Sequence, residues 1–152
     1  MLFRSNRLSG AIRASTGGTV GNGRIDGPWN ASVATDEAVL FWQHVRLANL
    51  ATGDGRNPAS EGITLAEWLP RNAMGGRIGI TGQSPISGWA GSFFICQDNL
   101  NGSFARQIDI GMDDGQPNSG SVRLLAGSAA SGNAVTTAEL TDSGQYTVCA
   151  SY

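Results

Sequence analysis

The sequence predicts an α+β domain: one amphipathic helix packed on an antiparallel β-sheet of about four to five short strands, with many loops. Three observations carry that expectation. Only one long segment, "TDEAVLFWQHVRLANLATG" (35–53), sustains helical periodicity. After residue 70 the apolar pattern changes to short runs bounded by turn formers. The chain also carries 22 glycines in 152 residues and is only 14% charged, a composition of many turns and few long helices. Its length suits one domain with its own core.

In the helical segment Thr35 is placed as the N-terminal cap. Asp36 and Glu37 sit in the first turn, where negative charge suits the helix dipole, and Gly53 is placed as the stop. Ala38, Phe41, Trp42, Val45 and Ala48 form one apolar face, widened by Leu40, Leu47 and Leu50. A helix apolar over so much of its girth is expected to be clamped between the sheet and a second layer. "ITLAEWLP" (63–70) predicts a short helical turn ended by Pro70. Strands are predicted at 77–81, 89–96, 105–112, 121–127 and 145–150. In "ARQIDIGM" (105–112), Ile108 and Ile110 alternate with Gln107, Asp109 and Gly111, as on a half-buried strand. Residues 107–125 therefore read as a hairpin, with Asp114-Gly115 and Pro117-Asn118 as its turn formers. Residues 1–35 read as loop. "GNGRIDG" (21–27) reads as a turn, since a calcium loop would need leading acidic ligands and only Asp26 is charged.

Several function classes find little footing. A formal net charge of −2 gives no electrostatic case for nucleic acid. All basic residues are arginine, which excludes a lysine nucleophile. No run of about 20 apolar residues occurs, and no apolar signal-peptide core follows Met1. His44 is the lone histidine and no C-x-x-C spacing exists, so the usual structural zinc site cannot be assembled. A hydrolytic triad would have to use His44, without a nucleophile elbow around any serine. "GGTVGNG" (17–23) is a glycine-rich loop without the strand and helix of a nucleotide fingerprint. No catalytic, cofactor or metal-ligand set is assigned.

Adjacent Asp113 and Asp114 would point apart on an extended backbone, poor geometry for the facing carboxylates of a glycosidase. A bare turn is the plain reading of that tip; Asp109, Asp113 and Asp114 with loop carbonyls could instead hold calcium weakly. Trp29, Trp42, Trp68 and Trp89 could make a sugar platform, although Trp42 reads as core and the others equally as core or interface anchors. Cys96 and Cys149 read as one disulfide in an oxidising compartment, worth about 3–4 kcal/mol, or as two buried free thiols; composition leaves both open.

The order of "GNGRIDGPW" (21–29), "DEAVLFWQHVRLANL" (36–50), "FFICQDNL" (93–100), "QIDIGMDDGQPNSGSVR" (107–123) and "YTVC" (146–149) resembles type IV pilins and the pilin-like subunits of type II secretion systems. The resemblance covers residues 21–152; "FWQHVRLANL" and "IDIGMDDGQPNSGSVR" are its most specific pieces. It implies a pilin-like head domain over 21–152, with a C-terminal region stapled by Cys96–Cys149 and the acidic tip as a loop of the head. It implies a filament subunit and no enzyme. Its partners would be other pilin or pseudopilin subunits, and the inner membrane through an N-terminal apolar helix. Its location would be the periplasm and inner membrane before assembly, then the pilus or cell surface. The family's leader, cleavage site and apolar helix are absent from the sequence. Residues 1–20 are therefore expected to be a truncated or non-native leader and loop, with "LFRS" (2–5) matching a translated sequencing-adapter end. Loops 53–62, 82–88 and 113–120 are candidates for subunit contacts. The alternative is a secreted calcium- or carbohydrate-binding module of adhesin type.

Overall fold

The computed structural model describes residues 8–19, 21–60 and 62–152. The "LFRS" expectation and part of the expected leader lie outside the described residues. The chain folds as α+β. Helices α1 (Glu37–Leu47), α2 (Leu65–Trp68) and α3 (Gly102–Met112) accompany strands β1 (Ile78–Thr81), β2 (Phe94–Asn101), β3 (Val122–Ala126) and β4 (Gln145–Ser151). The sheet is antiparallel in the order β1-β2-β4-β3. β4 is thus inserted between β2 and β3, and its inward side chains are buried on both faces.

Strand alternation divides the core in two. Val122, Leu124, Tyr146 and Val148 point to one face and pack with Leu100 and Ala105. Phe94, Cys96, Leu125 and Cys149 point to the other, beneath Trp29, Ile86 and Trp89. Glycine permits that second layer: a Cβ on Gly79 would stand 1.9 Å from the Trp29 carbonyl oxygen. α1 lies beside β1 and builds a third cluster, in which Ala38 and Val39 meet Ala31, Trp68 and Leu69. The clamp expected for α1, between the sheet and a second layer, is not what holds it: its cluster includes no strand residue, and α3 is the helix that packs on the sheet. The boundaries of α1 differ as well. Asp36, not Thr35, is the N-cap, and the helix closes at Leu47 with Ala48 as C-cap, well before Gly53. Asn49 takes the left-handed turn that glycine was expected to supply, at φ 57°. Thr64 caps α2, accepting a hydrogen bond from the Glu67 N–H, a cap the sequence reading did not assign.

The expected strand at 105–112 is a helix, and the expected hairpin at 107–125 does not exist. β3 pairs with β4 instead. Two physical reasons decide this. Asn101 is an N-cap whose side chain accepts from the Phe104 N–H, so the helix starts inside what looked like a turn. Gly102 allows the start to approach the neighbouring loop, where a Cβ would stand 1.9 Å from the Thr141 carbonyl oxygen. Ala105, Ile108 and Asp109 then recur at three and four residues on the sheet side, while Ile110 faces out at 62% exposure. The strand predicted at 89–96 is also displaced: β2 begins at Phe94 and runs through Asn101, with a register irregularity between Gln97 and Leu100.

These two periodicities make opposite predictions. On a strand, Ala105 would face solvent and Ile110 the core; on α3 the reverse holds. Ala105→Asp is expected to cost about 3 kcal/mol or more in denaturant unfolding, and Ile110→Ala less than about 0.5 kcal/mol.

Candidate functional site

Three carboxylates of the described residues converge where α3 gives way to β3. Asp109 lies in the last turn of α3, Asp113 is its C-cap, and Asp114 follows. One carboxylate oxygen from each lies within 4.8 Å of the others. The expectation that Asp113 and Asp114 point apart assumed an extended backbone and is overturned here. Asp113 has φ −147° and ψ −132°, and its N–H donates to the Asp109 carbonyl at 2.7 Å. Helical spacing of four residues puts Asp109 and Asp113 on the same side.

The outer two aspartates have structural partners. Asp113 Oδ2 accepts from the Val122 N–H at 3.0 Å, fixing the first residue of β3. Asp114 Oδ1 accepts from the Gln116 N–H at 2.8 Å, and Oδ2 from the Ser119 hydroxyl at 2.6 Å. The Ser119 hydroxyl and the Gln116 N–H hold the Asp114 carboxyl below the usual range. Gly120 closes the corner at φ 67°; a Cβ there would strike Asp113 Oδ2 at 1.8 Å.

Asp109 differs from both. It is 1% exposed, and its Oδ1 is buried without a hydrogen-bond partner among the described residues. Burial, then the charges of Asp114 and Asp113, push its pKa from 3.8 up to about 6; the Gly115 N–H opposes them. In neutral solution the corner therefore concentrates negative charge at a helix C-terminus, where the dipole is itself unfavourable to it. No basic side chain forms an ion pair with these three among the described residues.

The other residues singled out in the sequence fall into packing roles. Trp29, Trp68 and Trp89 are at most 5% exposed, so they cannot serve as a sugar platform; they anchor the core. The Trp29 indole N–H donates to the Ala129 carbonyl and that of Trp89 to the Gly120 carbonyl. His44 Nε2 lies 2.8 Å from the Ile12 carbonyl oxygen, tying α1 to the N-terminal segment. Asp26 Oδ2 accepts from the Thr19 N–H and the Asn22 side-chain amide, which makes "GNGRIDG" a side-chain-braced turn. Cys96 and Cys149 form a disulfide between directly paired residues of β2 and β4, both fully buried.

Sequence reasoning missed two features. Gln43 is fully buried on α1. Its Oε1 accepts from the Ile12 N–H, and its Nε2 donates to the carbonyls of Gly10 and Gly55. The second is a groove of about 200 Å³ on the α3 side of the sheet, bounded by Ile78, Ile95, Ile108, Met112, Ala150 and Tyr152. A polar residue inside a helix's apolar stripe could have pointed to the first. The groove had no sequence signal once α3 was read as a strand.

Removing the disulfide by a Cys96→Ala, Cys149→Ala double substitution is expected to lower stability by about 4 kcal/mol in chemical denaturation. Asp109 gives a pH prediction. Its folded-state pKa lies above the unfolded value, so between pH 3.8 and about 6 the folded chain binds more protons than the unfolded chain. Its contribution therefore turns destabilising as pH rises through that window. In chelator-treated buffer, Asp109→Asn is expected to stabilise the protein by about 1–3 kcal/mol at pH 7.5 and by little at pH 4. Compared with models of protein families, with curated proteins and with solved structures, the chain finds no match.

Proposed function

We propose that this chain is a structural subunit of a type IV pilus or a type II secretion pseudopilus, acting by assembly and not by turnover. The observation that carries the reading is the apolar surface along the α3 side of the sheet. Ile78, Ile95 and Ala150 floor an open groove, Met112 and Tyr152 border it, and both border residues are more than half exposed. Phe104 and Ile110 extend exposed apolar area along α3. A surface of this kind calls for a packing partner. In a filament, neighbouring subunits and the family's apolar N-terminal helix supply one. That helix also provides the inner-membrane anchor before assembly. Loops 53–62, 82–88 and 113–120 are further candidate contacts.

Two more features agree with an extracytoplasmic filament. A buried disulfide suits an oxidising compartment. A four-stranded antiparallel sheet tied to its C-terminal strand suits a head that must stay folded under load. The secreted-module alternative has less support for its carbohydrate arm, because Trp29, Trp68 and Trp89 are buried and Trp42 is partly buried; its calcium arm has the acidic corner in its favour.

The test is the location of the native protein. Antibodies against this chain should detect it in filaments sheared from the source cells, and disruption of the assembly ATPase should abolish that signal. Detection only as a soluble monomer with reduced cysteines would sink the reading. Met112→Glu, at an exposed position, should leave stability within about 0.5 kcal/mol and reduce incorporation into sheared filaments several-fold.

A further inference from the structure

We propose that Asp109, Asp113 and Asp114 bind a hard divalent cation, Ca²⁺, at the corner between α3 and β3. The inference does not depend on the filament reading. Two independent observations meet there. The first is convergence: three carboxylates each bring an oxygen within 4.8 Å of the other two. Oxygens sharing one Ca²⁺, each about 2.3–2.6 Å from it, stand at most about 5 Å apart, so this convergence is compatible with one shared ion. The second is the Asp109 side chain, which is 1% exposed and whose Oδ1 finds no partner among the described residues.

That orphaned oxygen separates this corner from an ordinary acidic turn. Asp113 and Asp114 have local duties, in the Val122 N–H and in the Gln116 and Ser119 donors, and would sit where they are without any ligand. Asp109 has no such duty at Oδ1. Burying an acceptor unpaired is destabilising, and three carboxylates at a helix C-terminus add repulsion among themselves and with the dipole. The nearest compensation is weak. Arg123 influences Asp114, but its guanidinium lies over the Trp89 ring and its Nε donates to the Gly120 carbonyl. A doubly charged ion satisfies the orphaned acceptor and cancels the repulsion together. Carboxylate oxygens are the donors such an ion prefers, and the exposure of Asp114 leaves room for water to complete the six to eight ligands of Ca²⁺. Bound there, the ion would join the last turn of α3 to the residues that lead into β3.

The test uses the full chain, stripped with EDTA and then titrated with CaCl₂ by isothermal calorimetry, with Tm measured in EDTA and in 5 mM CaCl₂. The expected result is saturable one-to-one binding with Kd near 10⁻⁴ M and a Tm rise of about 5 °C. MgCl₂ at the same concentration should give less than half that rise. Asp114→Asn, on the exposed side of the corner, should keep the fold by circular dichroism and lose the rise, as should Asp109→Asn. No saturable heat from the folded wild-type chain overturns the proposal. So does a full rise retained in both variants, which would place the ion elsewhere. An equal rise with MgCl₂ overturns the assignment to Ca²⁺.

Discussion

The pairing of β2 with β4 organises this structure. The two strands are remote in sequence, with α3 and β3 between them, yet they form the centre of the sheet. Cys96 and Cys149 face each other across that pair and are joined, closing a separation of 53 residues. Without it, bringing such distant segments together would cost loop-closure entropy that the short ladder has to offset alone. The bridge lies on the face under Trp29 and Trp89, so it also anchors the layer through which the N-terminal loops cross the sheet.

Once β4 sits between β2 and β3, the route from β2 to β3 must leave the sheet. α3 is that route. It packs on the opposite face through Ala105 and Ile108, and it must then return to the edge strand. The acidic corner is the return. Asp113 receives the first N–H of β3 at Val122, Gly120 gives the carboxylate room, and Asp109 is carried into the protein by the helix itself. The charge gathered there follows from topology: three aspartates that a hairpin would have spread along a rim are folded into one volume.

The same topology explains the open groove. α3 covers the β4 and β3 side of its face, and Ile78 and Ile95 toward the β1 edge remain half-covered. α1 cannot cover them, because it is held in its own cluster with Trp68 and by Gln43 to the N-terminal segment. The apolar floor and the negative corner thus lie at opposite flanks of one helix, one suited to packing and the other to an ion.

Much of the fold was legible in the sequence because it is written in local patterns. The α+β class, the helix at α1, the short helical turn at α2, and strands β1, β3 and β4 follow from periodicity and turn chemistry, and two cysteines admit only one intrachain pairing. α3 was not legible from alternation alone. Ile108 and Ile110 satisfy a period of two, while Ala105, Ile108 and Asp109 satisfy 3.6, and small or acidic residues advertise burial poorly. Asn101 was the available signal, and it resembles any turn residue until its side chain is seen to cap. The amino-acid order by itself determined which segments could be helix or strand and which residues could carry charge or a disulfide. Tertiary structure alone decided that β4 enters between β2 and β3, and that Asp109, Asp113 and Asp114 meet. Those outcomes depend on long-range burial and chain crossing, which no local window of sequence contains.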